Sequence, residues 1–172
     1  LDIGAGGYLN SRWNKIKENL SLISIEPNTK STGYLNNKGS KEINKIFYSK
    51  KKDKMKFYLY KKELCSSIYK PNLSYLKKFP DYDRFSVVKE LDIQATTIDE
   101  ELKNTKIDFV KIDTEGGELD ILKGGEKSLH NLLGLEVESE FFQLRINQPL
   151  FNEIKLFLEN KGFVFVDFLR IS

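Results

Sequence analysis

Residues 107–129, IDFVKIDTEGGELDILKGGEKSL, pass from an apolar run into a knot of acids and glycines and then into a helical pattern. Ile107, Phe109, Val110 and Ile112 make the short β-rich run that a sheet covered on both faces requires, and Asp113 falls where that strand ends. Open α/β sheets hold their ligand crevice outside the carboxyl ends of the strands. Asp113, Thr114, Glu115 and Glu118 are therefore the first candidates for a site. The same residues also have a purely structural reading. Acids in the first turn of a helix are favoured by its dipole, and Gly116 and Gly117 suit a tight turn.

The pattern repeats on either side of this stretch. LDIGAGG, residues 1–7, is a strand end followed by a glycine turn, and Asn10 through Asn19 is expected to be helical, with Trp13, Ile16 and Leu20 toward a core. Leu22, Ile23 and Ile25 form a second apolar run that stops at Glu26, where Pro27 forbids a central strand from continuing. Residues 46–48 and 55–60 read as the two arms of a hairpin around the lysine-rich turn SKKKDK. Residues 64–86 carry two prolines and read as a long loop with at most a short helix, and Val87 to Ile93 is weakly strand-like. Thr97 with Glu100 makes a capping box that opens a short helix.

Beyond the glycine pair at 124–125, LLGLEVESEFF, residues 132–142, reads as the next strand, with Glu136, Glu138 and Glu140 on one face. Leu150, Phe151, Ile154, Phe157 and Leu158 give an amphipathic helix stopped by Gly162, and FVFVDFL follows as a last strand. Strands and helices thus alternate. The expected class is α/β, a mostly parallel sheet with helices on both faces, in one domain spanning residues 1–172. The apolar start at Leu1 and the strand-like run before Ser172 read as a domain truncated at both ends.

Bulk properties exclude several classes. The 172 residues suffice for one proper core, and 28 basic against 25 acidic residues leave a net charge of only +3, too little for a general polyanion-binding field. Nucleic acid is therefore not an expected partner. The lysines at 50, 51, 52, 54 and 56 with Tyr58 and Tyr60 read as a solvated hairpin. Cys65, the single cysteine, has no internal disulfide partner, no signal core is present, and no apolar run is long enough to span a bilayer. A reducing, cytoplasmic setting fits that usage. Cys65 lacks a basic partner that would make it a nucleophile, and His130 sits in a polar context that suits an exposed helix end.

The chemistry-bearing pattern starts with Asp2, Gly4 and Gly6, spaced D-x-G-x-G at a strand end, with Ala5 inside the turn. Glycines let the backbone approach a ligand closely, and a helix following such a turn offers free amides. Glu26 lies at the tip of the next strand, about 20 positions on, where an acid accepts both hydroxyls of a ribose. Together they describe a nucleoside pocket. A nucleotide-dependent, NAD(P)-type oxidoreductase shares these features, but Leu9 stands where the dinucleotide fingerprint has its third glycine.

LDIGAGG, SIEPN, KIDTEGGELDILKGG, LGLEVESEF and FNEIKLFLENKGFVFVDF, in this order, resemble the FkbM-type methyltransferases. KIDTEGGELDILKGG carries the most specific part of the likeness, a K-I-D-x-E-G-x-E-x-x-x-L-x-G signature. The resemblance implies a Rossmann-like class I methyltransferase sheet that uses S-adenosylmethionine (SAM) and O-methylates a hydroxyl of a sugar or related small molecule. It also implies that Asp2, Gly4, Ala5 and Gly6 form the turn beside the cofactor, that Glu26 and Pro27 stand at its ribose, and that Ser66 and Ser67 match a family serine pair. A non-catalytic binding module that kept the fold is the other reading. Methyl transfer to an alcohol is a task of positioning plus removal of the hydroxyl proton. Asp113 is the expected base, assisted by Glu115 and Glu118 or completing with them a site for a divalent cation such as magnesium. Glu138 and Glu140 are expected either to line the acceptor pocket or to pair with nearby lysine or arginine.

Overall fold

In the computed structural model, residues 1–6, 11–27 and 40–169 are described. The strands are β1 (Asp2–Ile3), β2 (Ile23–Ile25), β3 (Lys41–Ile43), β4 (Ile46–Phe47), β5 (Lys52–Tyr60), β6 (Val87–Thr96), β7 (Phe109–Ile112) and β8 (Gly134–Val137). The helices are α1 (Leu73–Leu76), α2 (Ile98–Glu101), α3 (Glu118–Lys123) and α4 (Phe151–Glu159). Five strands form one sheet in the order β3-β2-β1-β7-β8, and each neighbouring pair is parallel. This is the expected α/β architecture, a mostly parallel, Rossmann-like sheet flanked by helices.

Register turns this order into rows. Ile43, Ile25, Ile3, Ile112 and Val137 pair in sequence across all five strands. The four isoleucines are buried in one core with Ile98 of α2, Leu119, Ile121 and Leu122 of α3, and Ile154 of α4. That row explains why the strands can be so short. Each needs one or two large β-branched side chains in register, and a slip of one residue would turn all of them to the opposite face. The opposite face carries a polar row, Glu42, Ser24, Asp2, Lys111 and Glu136. There Trp13 packs edge-on against Phe109 at 5.3 Å, and Arg12 pairs with Glu136.

Four expectations are corrected. Asn10 lies outside the described residues, and the rest of the expected first helix forms two short 3-10 turns, Ser11–Trp13 and Lys17–Asn19. Ile16 is exposed there, so no continuous apolar stripe holds a longer helix. The expected hairpin of residues 46–48 and 55–60 does not form. Both segments instead pair with β6, β4 in parallel and β5 antiparallel, giving a second sheet of order β4-β6-β5. The strand expected over 132–142 ends at Val137, so only Glu136 of its three acids lies in it. Finally, FVFVDFL is not a strand. Its alternation serves an aromatic cluster in which Phe165 and Phe168 pack on Phe151 at 5.5 and 5.1 Å, while Val164 and Val166 point to solvent.

The smaller elements follow the expected chemistry. Thr97 Oγ1 accepts the Glu100 amide at 3.0 Å and starts α2, and Gly124 ends α3 where a side chain would lie 2.0 Å from the Tyr48 carbonyl oxygen. The lysine-rich run lacks exposed aromatics, because Tyr58 and Tyr60 are buried and Lys54 and Lys56 pair with Asp92. Among the described residues no helix is long and apolar enough to cross a membrane.

Candidate functional site

One step beyond the isoleucine row lies a row of strand tips: Asn44, Glu26, Gly4, Asp113 and Glu138. Residues as far apart in the chain as Gly4 and Glu138 thereby come into one row, at the ~4.8 Å spacing of neighbouring strands. The tips are held by ladder bonds that continue past the strands. Gly4 N–H donates to Ile25 O at 2.9 Å, Glu26 N–H to Ile43 O at 3.2 Å, Asp113 N–H to Ile3 O at 2.9 Å, and Glu138 N–H to Ile112 O at 2.8 Å.

Gly4 has φ +78°, and a Cβ on it would lie 1.7 Å from the Asp113 carbonyl oxygen. Only glycine permits that contact. Gly6 is open toward Glu26: a Cβ there would sit 3.5 Å from Glu26 Oε2 and 3.4 Å from Leu64 Cδ2. The turn and the carboxylate thus face each other across a gap one methyl group would enter. Ala5 is buried within the turn and Pro27 is exposed just past the tip. Asp2 is not at the tip. It lies in β1, buried, with Lys111 Nζ 3.6 Å away.

The loop from Asp113 to Gly117 is built around two carboxylates with different tasks. Glu118 is buried and turns back on the loop, where its Oε1 accepts from Thr114 N–H at 2.8 Å, Thr114 Oγ1 at 2.9 Å and Gly116 N–H at 3.1 Å. Burial raises its proton affinity, and the bonds from the loop amides offset part of that. Glu115 takes the left-handed conformation, φ +60°, which a side chain other than glycine adopts at a cost. Two contacts keep it there: Ser67 Oγ donates to its carbonyl at 2.7 Å, and Arg145 pairs with its carboxylate. Ser66 lies one residue away but serves the second sheet, its hydroxyl accepting from Tyr60 N–H at 3.0 Å.

Arg145 is the residue that sequence reasoning missed. Its side chain is fully buried, bonds through Nη2 to the Cys65 carbonyl at 3.1 Å, reaches Glu140 at 3.8 Å, and lies over the rings of Phe85 and Tyr60 at 5.7 and 6.0 Å. A signal for it did exist: acids at 113, 115, 118, 138 and 140 brought together in one fold require a buried cation, and Arg145 is the nearest arginine in sequence. Burial pushes the Glu115 and Glu140 carboxyls up, and Arg145 pulls each back only in part.

The other two acids sit side by side in the tip row. Asp113 pairs with Lys111 Nζ at 3.1 Å. Burial works against the Lys111 charge, but Asp2 and Asp113 outweigh it and hold the ammonium above its ordinary value. The Glu138 carboxyl is pushed up to about 9, first by burial and then by Asp113, Glu115, Glu118 and Glu140 around it.

The expected cation set of Asp113, Glu115 and Glu118 is not assembled. The carboxylates that do converge, to within 4.8 Å of one another, belong to Glu115, Glu138 and Glu140. Two of the three already share the Arg145 guanidinium. A fixed buried cation opposes a second one, so this donor set does not fit a magnesium-like ion. Neither His130 nor Cys65 offers a reactive group, as their sequence context implies. His130 is exposed in the turn Ser128–Asn131, and burial pushes the Cys65 thiol up, away from the reactive thiolate.

Comparison with known proteins gives one match. The model of the methyltransferase FkbM domain matches residues 6–165. No curated protein and no solved structure matches the chain.

Proposed function

The chain belongs to the methyltransferase FkbM family, and from that premise we propose that it takes its methyl group from SAM and delivers it to a hydroxyl of a sugar or similar small molecule. The observation that carries this reading is the tip row, in which Glu26, Gly4, Asp113 and Glu138 stand on four adjacent strands. Glu26 and the turn at Gly4–Gly6 suit a nucleoside, while the acids beyond β7 and β8 suit hydroxyls, which donate to carboxylates. Two kinds of ligand are thus served next to each other.

When bound, SAM supplies a methyl group already activated by its positive sulfur. The chain's own residues have three tasks. Glu26 accepts hydrogen bonds from the ribose hydroxyls, and Gly4 keeps the backbone low enough for close approach. The acids at 138 and 140 orient the acceptor hydroxyl, and one carboxylate receives its proton. The single cysteine, buried and without a disulfide, suits a reducing compartment such as the cytoplasm.

Calorimetry tests the cofactor directly. The protein should bind SAM, and Glu26→Ala should weaken binding about 100-fold, the equivalent of two charge-assisted hydrogen bonds at ~1.5 kcal/mol each. Binding of NAD in place of SAM would overturn the reading in favour of an oxidoreductase. Transfer of labelled methyl from SAM to a glycan panel then tests the acceptor class, and failure on every hydroxyl compound would remove O-methylation.

A further inference from the structure

Five carboxylates crowd the ends of β7 and β8, and four of them have a partner that holds their charge or their lone pairs. Asp113 has Lys111, Glu115 and Glu140 share Arg145, and Glu118 accepts three hydrogen bonds from its own loop. Glu138 has neither cation nor hydrogen-bond donor among the described residues, and its Oε2 is shut off from solvent. Its place is nevertheless fixed. The Glu138 amide extends the β7–β8 ladder to Ile112 O, which sets it beside Asp113 and two strands from the Gly4 turn.

A carboxylate so situated has burial and four other acids against its ionised form: Asp113, Glu115, Glu118 and Glu140. The two nearby cations do not relieve it, because Lys111 is engaged by Asp113 and Asp2, and Arg145 by Glu115 and Glu140. What Glu138 lacks is a positive charge of its own. A sulfonium bound next to the Gly4 turn is a positive charge, and the same ligand after methyl transfer has lost it.

We infer that Glu138 is the general base of the transfer, and that it carries a proton in the free protein, yields it when the cationic donor binds, and regains one from the acceptor hydroxyl. This rests on SAM being the donor. The step balances. The acceptor's O–H bond breaks and its proton goes to a Glu138 oxygen. The acceptor oxygen bonds the methyl carbon as the carbon–sulfur bond breaks, its electron pair staying on sulfur. A sulfonium and a carboxylate are consumed together, and a neutral thioether and a carboxylic acid remain, so the buried site ends without the charge it could not hold. Asp113, tied to Lys111 in the neighbouring position, is then a positioning residue, since its carboxylate is already engaged by that ammonium.

The test counts protons. Calorimetric titrations of the whole chain at neutral pH, in two buffers of different ionisation enthalpy, should show about one proton released per SAM bound. S-adenosylhomocysteine, identical but for the methyl group and its charge, should release a small fraction of that. Glu138→Gln should still bind SAM, within ~10-fold of the parent, but release no proton with either ligand. In methyl transfer this variant should lose about 1,000-fold in kcat with the KM for SAM within the same ~10-fold, and Glu138→Asp should recover part of the loss. Proton release unchanged in Glu138→Gln, or the same for both ligands, would overturn the inference while leaving the SAM reading intact. No binding of SAM by the parent protein would overturn both.

Discussion

Replacing Gly4 by alanine should destabilise the protein by more than ~4 kcal/mol, the range reserved for substitutions that break the packing of a core. The added methyl would lie 1.7 Å from the Asp113 carbonyl oxygen and 3.2 Å from Thr114 Cγ2, and the site has φ +78°, so the backbone can neither accept the side chain nor move without parting β1 from β7. The first is a backbone atom just past the end of β7, the strand paired with β1. No rotamer change relieves the contact, and Asp113 N–H would lose Ile3 O as its acceptor. Urea denaturation should show the loss as a shifted midpoint. Gly6→Ala is the control, because its methyl would make ordinary contacts of 3.4 and 3.5 Å with Leu64 and Glu26. It should keep its stability and lose cofactor affinity, since the methyl enters the gap between turn and carboxylate. Equal midpoints for Gly4→Ala and Gly6→Ala would refute the packing account.

The second large effect concerns Arg145. Changing it to methionine keeps most of the side-chain volume between Phe85 and Tyr60 but removes the cation paired with Glu115 and Glu140. Breaking a buried pair from one side costs about 3–5 kcal/mol, and the partial exposure of the two acids places this loss toward the lower end of that range. The loss should depend on pH, with a definite sign. Without the guanidinium, the proton affinities of Glu115 and Glu140, already raised by burial, rise further in the folded state. A group whose folded value lies above its unfolded one favours the fold when protonated and loses that contribution as pH rises. Arg145→Met should therefore approach the parent's stability toward pH ~5 and fall furthest behind it at pH ~8. Melts at the two values measure this. A deficit that does not change with pH would mean that lost packing, not charge, is the cause.

Much of the parallel sheet is legible from the chain because each of its strands ends where a polar residue or glycine interrupts a short apolar run. Ile25 to Glu26, Ile3 to Gly4 and Ile112 to Asp113 each mark the step from core row to tip row. Where the strand tip is visible locally, so is the candidate site. The second sheet is different. β6 is exposed along most of its length, so Val87, Lys89, Glu90 and Asp92 carry no core pattern, and its pairing with β4 depends on two residues meeting Ala95 and Thr96 from nearly fifty positions away. Periodicity cannot report a contact of that kind. Glu118 and Glu115 look alike in sequence as acids around a glycine pair. They differ only through the left-handed turn at Glu115, which sends one carboxylate to Arg145 and the other back to the loop amides. Arg145 itself lies outside any strand or helix, and its burial follows from Tyr60, Phe85 and Cys65, all more than fifty positions earlier.

The position of β1 between β2 and β7 also bears on how the chain is made. Asp2 finds Ser24 early, but its other neighbour, Lys111, is synthesised only after most of the chain. At ordinary translation speeds that interval is on the order of ten seconds. Throughout it, one edge of the β3-β2-β1 half stands open, with Ile3 and Ile25 lacking the helices that later cover them. An uncovered parallel edge is a template for the same edge on a neighbouring ribosome's product. Yield from a crowded translation system should thus be limited by the wait for β7, and supplying residues 107–129 as a separate peptide during synthesis should raise it.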